Sequence, residues 1–235
     1  LAQLRLLARG VDPASTVPIA VQDVDVATPT SRAVLALGMM SFLVIFATFA
    51  GGTYLAIDAT AGERERGSLE SLLTTPVPRT QLIYGKILAT CAFMLASLVL
   101  TVVACAIAVR FVRLEDFGMS ANLGPLTVLG IVGVIATLVP LGAALMTVVA
   151  SFTRSYREAQ SYLGFVIMVP TLPLAFVSLL GLQPSLSLMA VPSLGQHFLM
   201  TRLLRGEGVD PASLAVSAGT SLALGLLLAW IAGRL

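Results

Sequence analysis

The sequence predicts an all-α fold, a polytopic transmembrane helical bundle. Hydrophobic residues make up 57% of the 235-residue chain and charged residues only 11%, whereas soluble domains average roughly 45–50% and 25%. Five apolar runs are long enough to cross a bilayer, which takes about 20 residues as a helix. None of the five contains Asp, Glu, Lys, Arg or His. Because backbone groups in lipid must pair within their own segment, these runs are expected to be helices.

The predicted spans follow one another with polar loops between them. They cover Ala33–Ile57, Ile87–Val109, Pro125–Ala150, Tyr162–Leu182 and Ser213–Gly233. Pro170 and Pro173 are expected to kink the fourth span. The stretch Gln183–Ala212 is apolar at its centre but too short and interrupted to span, which favours a re-entrant or interfacial helix pair. The transmembrane domain is therefore predicted at 33–235.

The range 1–32 is too polar to enter the membrane, and we expect it to be the end of an extracytoplasmic segment. The chain begins at Leu1 without Met, and its first residues lack the pattern of a signal peptide. It ends directly after the last span. We interpret it as a fragment that has lost an N-terminal span.

Charge is concentrated in the polar island Asp58–Lys86, which lies between the first two spans. Five charged residues fall within the range 63–70. A helix over Gly62–Leu73 would place three leucines on one stripe and would let Arg66 pair with acidic residues three or four positions away. Those acidic residues are Glu63 and Glu70.

Two interpretations of the island stay open. A short amphipathic helix with a charged face suits docking into a groove on a soluble partner. The alternative is a solvated loop that only anchors topology. Pro76 and Pro78 are expected to end the helix, and Lys86 is expected at the membrane interface, where its stem can snorkel. Lys and Arg in the loops divide evenly, seven on each side of the membrane, so the positive-inside rule alone does not orient the chain.

The hexapeptide GVDPAS occurs twice, at Gly10–Ser15 and at Gly208–Ser213. Asp before Pro is typical of a helix start, with Asp as the N-cap and Pro in the first turn. The two copies are interpreted as similar helix starts or as parts of a structural repeat.

Enzymatic functions find little support in the residues. His197 is the only histidine, which excludes a multi-histidine zinc site, and it is expected to be an interfacial polar residue. Gly85–Lys86 does not belong to a P-loop, because Thr80 and Ile87 occupy the positions where that loop needs Gly and Ser or Thr. A net charge of +2 gives no indication of nucleic acid binding. We therefore predict no catalytic, cofactor-binding or metal-binding residue in this chain.

Three motifs resemble a known family. The segment DATAGERERGSLESLLTTPVPR, which begins at Asp58 and is followed by Gly85–Lys86, resembles the signature of type-2 ATP-binding-cassette (ABC-2) exporter permeases, in particular the sodium-efflux (Nat-type) branch. Ser151–Tyr162 is similar to the second cytoplasmic loop of that branch, and Ser187–Glu207 is a looser match. The matches follow family order, but the first span of the family is missing.

The resemblance implies a six-span permease of the cell membrane that pairs with a second permease subunit, as a homodimer or heterodimer, and with ABC ATPase subunits that bind ATP and Mg. It implies a cytoplasmic coupling helix that contacts the ATPase. The contact residues would be Glu63, Arg64, Glu65, Arg66, Gly67, Leu69, Glu70 and Leu73. A secondary cytoplasmic contact would consist of Arg154, Arg157 and Glu158.

The cargo stays open among sodium, small amphiphiles, lipids and peptides. Sodium would have to be coordinated by carbonyls and hydroxyls, because the spans lack ionisable side chains. Candidate hydroxyls near kinks or breaks are Thr137, Ser151, Thr171 and Ser178. The competing hypothesis is a membrane scaffold or sensor that docks a soluble partner through 58–86 without transporting anything.

Overall fold

The structure is a computed structural model that describes residues 29–68, 74, 76–111, 124–180 and 182–234. Its helices are α1 (Pro29–Ile57), α2 (Arg79–Phe111), α3 (Pro125–Ala136), α4 (Val139–Phe152), α5 (Tyr156–Leu180), α6 (Leu186–Met189), α7 (Leu194–Leu204) and α8 (Pro211–Arg234). Within these ranges, five helical segments are long and apolar enough to cross a membrane, with α3 and α4 together forming one of them. The predicted helical bundle is confirmed. The extracytoplasmic segment predicted for 1–32 lies almost entirely outside the described residues.

The third span is broken at its centre, where Thr137 and Leu138 separate α3 from α4. Pro140, the second residue of α4, has no N–H to donate to the carbonyl of Ala136, so this backbone hydrogen bond is missing at the break. The fourth span is not broken in this way, because α5 continues as one helix through Pro170 and Pro173.

Helix α1 lies at the centre of the bundle, where it packs against α2, α4 and α5. Its Val44, Ile45 and Phe49 side chains are almost completely buried. Close contact with α2 is reinforced by Ser97, whose Oγ donates a 2.8 Å hydrogen bond to the carbonyl of Ala47. Helix α8 packs against α4 and α2.

The two ends of the bundle differ in what they carry. The junction end holds the last residues of α1, α4 and α8 and the first residues of α2 and α5, and Thr80 Oγ1 of α2 donates to the carbonyl of Gly233 of α8. The far end holds the last residues of α2 and α5, the first residues of α8, and the outer part of α7. The polar island lies at the junction end.

The predicted helix pair before the last span is present as α6 and α7, and polar contacts hold it inside the bundle. Ser193, between the two helices, has φ of 73°, and its Oγ donates to the carbonyl of Pro170 of α5 at 2.7 Å. Gln196 Nε2 donates to Ser221 Oγ of α8 at 2.7 Å. His197 Nδ1 lies 3.0 Å from Ser41 Oγ of α1.

His197 is therefore a buried residue inside the bundle and not a polar residue on the surface. Its side chain is only 3% exposed, because α7 is packed against α1 and α3 rather than lying on the surface. A buried imidazole needs a hydrogen-bond partner, and Ser41 supplies it.

The second GVDPAS copy is a helix start, as predicted. Pro211 is the first residue of α8, and the Asp210 carboxylate accepts hydrogen bonds from the backbone N–H groups of Ser213 and Ala212 at 3.2 and 3.4 Å. These hydrogen bonds, with that from the Ser213 hydroxyl, lower the pKa of Asp210. The first copy lies outside the described residues.

We expect Asp210→Ala to lower the melting temperature of the purified protein by a few degrees at pH 7, because it removes the cap of α8. The pKa of Asp210 is lower in the folded than in the unfolded protein. The stabilisation by this cap is therefore fully present above the unfolded pKa of about 3.9 and is lost as the pH falls through the folded-state pKa. The difference from wild type should therefore shrink below about pH 4. Asp210→Asn, which keeps a capping oxygen, serves as the control; equal melting temperatures of wild type and Asp210→Ala at pH 7 would contradict the capping role.

Candidate functional site

The chain leaves α1 without a break and enters the polar island as helix. Residues Asp58–Gly62 form a π-helical turn, and Glu63–Glu65 form one further α-helical turn. The helix then ends, because Gly67 adopts φ of 71°, a left-handed conformation that glycine reaches without steric cost. The prediction of one helix over Gly62–Leu73 is therefore wrong at Gly67. Three predicted contact residues, Leu69, Glu70 and Leu73, lie outside the described residues.

Glu63 reaches across to the second span. Its Oε2 lies 2.5 Å from Lys86 Nζ of α2, and the two side chains are only 22% and 16% exposed. The predicted pairing of Glu63 with Arg66 is wrong, because Lys86 holds the carboxylate. The Lys86 side chain is also more enclosed than the snorkelling position expected for it, because it lies inside α2, which begins at Arg79, and contacts Glu63.

Arg64 reaches the end of the third span. Its Nη1 donates to the carbonyl of Thr153 at 2.7 Å and its Nη2 to the carbonyl of Ser151 at 2.9 Å. The last carbonyls of a helix have no partner within the helix and carry the negative end of its dipole. The Arg64 guanidinium therefore caps the C-terminus of α4.

Glu65 reaches the start of the fourth span. Its Oε2 accepts a 2.8 Å hydrogen bond from the backbone N–H of Tyr156, the first residue of α5. A carboxylate at a helix N-terminus satisfies an unpaired N–H and favours the positive end of the helix dipole.

Arg66 folds back onto the π-helical turn. Its Nη1 lies 2.8 Å from Asp58 Oδ1, and its Nη2 donates to the Asp58 carbonyl at 3.2 Å. The hydrogen bond and the charge of Asp58 raise the pKa of the Arg66 guanidinium. This pair is exposed, so its contribution to stability is small, but it closes the end of the helical extension.

These contacts define the junction cluster, which consists of Asp58, Glu63, Arg64, Glu65, Arg66 and Lys86. Four consecutive charged side chains reach four different places: α2, the end of α4, the start of α5, and the π-helical turn. The cluster carries no arrangement of a nucleophile and a base. The cluster links the island to α2, to the end of α4 and to the start of α5.

The predicted secondary contact lies beside the junction cluster, because Arg64 and Glu65 hold the 153–156 turn against the island. Glu158 Oε2 accepts from the backbone N–H of Arg154 at 2.7 Å. The side chains of Arg154 and Arg157 are exposed. The structure thus brings the two predicted contact segments together on one end of the bundle.

Sequence reasoning missed the roles of Asp58, of Lys86 and of the α4 carbonyls. Lys86 offered a signal, because it is a lone charge at the edge of an apolar run. The α4 carbonyls offered no signal in the sequence, since every residue carries a backbone carbonyl.

Three of the candidate hydroxyls for a cation donate hydrogen bonds within their own helical segments. Thr137 Oγ1 donates to Val134, Ser151 Oγ to Thr147 and Thr171 Oγ1 to Ile167, each within its own helical segment. The side chain of Ser178 is outside the described part of the structure.

The five spans and the junction cluster define an integral membrane protein whose exposed loop is tied to several spans at once. The chain belongs to the ABC-2 family transporter proteins, whose family profile matches residues 8–230. It is 32% identical over 232 residues to the ABC transporter permease protein NatB of Bacillus subtilis (strain 168), an alignment that covers 94% of this chain and 58% of that relative. The chain thus spans less than two thirds of the length of the curated relative it matches. It is a multi-pass protein of the cell membrane.

Proposed function

We propose that this chain is the membrane-spanning permease part of an ABC exporter, in which a separate ATPase subunit binds ATP and Mg and drives efflux. It works beside a second permease subunit, identical or different. The junction end faces the cytoplasm, where the ATPase binds. The chain supplies no ATPase site of its own and acts only in transport.

One observation supports this function: three consecutive charged residues of the island, Glu63, Arg64 and Glu65, each contact a different helix of the bundle. An ATPase that pulls on the island would move the ends of α2, α4 and α5 in one step. A loop that only anchored topology would not need such contacts, because solvent alone satisfies exposed charges.

The ATPase contact includes the exposed faces of the island and of the adjoining turn. Arg64, Glu65 and Arg66 are exposed although each makes an intramolecular contact, so they can serve both purposes. Arg154 and Arg157 extend the same basic surface. The cargo to be tested first is sodium, which the resemblance to the sodium-efflux branch suggests.

The test uses the complete permease and its ATPase in inverted membrane vesicles. We expect ATP-dependent accumulation of sodium in wild-type vesicles and its loss in the variant Glu65→Arg with Arg66→Glu, which reverses both charges and removes the contacts with Tyr156 and Asp58. Pull-down of the ATPase should weaken in the same variant, while the amount of permease in the membrane stays unchanged.

Arg110→Glu, an exposed charge at the far end of the bundle, is the matched control and should transport normally. Normal transport in the double variant would refute the role of the island in coupling. Firm binding of the ATPase without movement of sodium or any other tested cargo would instead favour the scaffold or sensor.

A further inference from the structure

A cavity of about 320 Å³ lies at the far end of the bundle, opposite the junction cluster. Helix α7 forms one wall, and parts of α1, α5 and the loop after α5 form the others. Buried His197 and Phe198 form its inner wall, whereas the exposed Gln183 and Arg205 lie at its rim. Its volume is at the lower end of the range of small-ligand sites, about 300–1,000 Å³.

The cavity has a cationic side. Arg202 and Arg205 both line it, and Glu207 is the acidic residue among its lining. Glu207 Oε1 lies 3.7 Å from Arg205 Nη1, too far for a hydrogen bond. Within the described part of the chain, Arg202 has no carboxylate within ion-pair distance. Asp210, directly before α8, also interacts electrostatically with Arg202. The two guanidinium groups at the cavity are therefore partly balanced by Glu207 and Asp210, but within the described residues neither forms a hydrogen-bonded ion pair with a carboxylate.

The opposite side of the cavity is apolar. Val177 of α5 and Leu182 line it, while Phe198 adds an apolar surface on α7, one turn before Arg202, and Leu182 is 45% exposed. The cavity lies where α5 ends and α8 begins, beside Val177, the last residue of the apolar segment of α5 that is long enough to span. A cationic rim beside an apolar wall at this position matches a molecule with an anionic head and an alkyl chain.

We propose that this cavity binds the oxyanion headgroup of an amphiphile, with the phosphate or carboxylate between Arg202 and Arg205 and the start of the chain against Val177, Leu182 and Phe198. Guanidinium groups recognise phosphate and carboxylate through charge-assisted hydrogen bonds. This site goes beyond the proposed function, because a sodium cargo would be repelled here rather than bound. Arg202 also lies in the last turn of α7, where a cation favours the helix dipole, so the test must separate binding from stability.

The probe is dodecyl phosphate, and its binding to the full-length permease in an uncharged maltoside detergent is followed by native mass spectrometry. Dodecyltrimethylammonium, a cation with the same chain, is the reference. We expect wild type to retain the phosphate and not the ammonium. Arg202→Gln with Arg205→Gln should weaken binding of the phosphate by about tenfold for each guanidinium removed.

Arg110→Gln removes an exposed arginine at the same end of the bundle that does not line the cavity, and it should bind like wild type. Leu182→Trp keeps both arginines but fills the mouth, and it should weaken binding as well. Equal retention of phosphate and ammonium by wild type would overturn the assignment, as would unchanged binding in the double variant. If the double variant does not elute as a folded protein, unchanged binding in Leu182→Trp would by itself overturn the assignment.

Two sources can supply this chemistry, and further arms distinguish them. Retention of phosphatidylglycerol in place of dodecyl phosphate would identify a resident lipid. ATP-dependent movement of dodecyl phosphate in vesicles would identify a transported amphiphile. Both results support the anionic site, and neither depends on sodium transport.

Discussion

Glu63→Lys is expected to reduce ATP-driven transport at least tenfold and to lower the free energy of unfolding by about 2–3 kcal/mol. The substitution puts a second ammonium group next to Lys86 at a position where both side chains are mostly shielded from water. Two like charges in such a place repel each other, and little solvent is present to screen the repulsion. The end of α1 should therefore detach from α2, and the island should lose its link to the second span.

The charge-swapped variant, Glu63→Lys with Lys86→Glu, is the decisive comparison. It restores an opposite-charge pair between the same two helices, so most of the lost stability and transport should return. Both variants are compared by denaturant unfolding of the purified protein and by vesicle transport. Recovery of stability without recovery of transport would mean that the pair holds the fold but does not transmit motion. No change in stability for Glu63→Lys would mean that the ion pair is not formed.

Gly225→Ala is expected to lower the free energy of unfolding by about 2–3 kcal/mol. A Cβ at this position of α8 would lie 2.7 Å from the backbone nitrogen of Leu141 and 3.0 Å from the carbonyl carbon of Pro140. Backbone atoms of a packed helix cannot move aside as a flexible side chain can. Helices α8 and α4 would have to separate beside the break in the third span.

Gly219→Ala, on the same helix, is the matched control. A Cβ there would meet nothing within 4 Å, so alanine should be neutral or stabilise the helix by about 0.5–1 kcal/mol. Trp230, the only tryptophan, is on α8 and reports the unfolding of both variants by its fluorescence. Equal stability of the two variants would show that α8 does not approach α4 as closely as described.

The spans were predictable because they depend on local composition. A run of apolar residues such as 87–109 must avoid water along its whole length, whatever lies beside it, and its backbone has to pair internally. The start of α8 was equally local, since Asp210 and Pro211 act on the turn that follows them. The break at Thr137 was not predicted, because the long apolar run around it indicated one continuous span and a proline does not by itself end a helix, as Pro170 and Pro173 in α5 show.

The partners of the charged residues were not predictable in the same way. Spacing along a helix paired Arg66 with Glu63, but the folded chain pairs Arg66 with Asp58 and Glu63 with Lys86. Glu65 meets Tyr156, far away in sequence. His197 is buried because α7 packs inward against α1 and α3, which its own residues do not reveal.

The sequence by itself determined that the chain spans a membrane, where its five spans lie, and that charge is gathered in one island. These properties follow from the free energy of transferring each segment from water to lipid, which is a sum over neighbouring residues. Only the tertiary structure decided what the island does with its charges, because an ion pair or a helix cap depends on which helix ends are brought within about 3 Å. Helix packing sets that distance, and it turned a run of four charged residues into a junction of four helices.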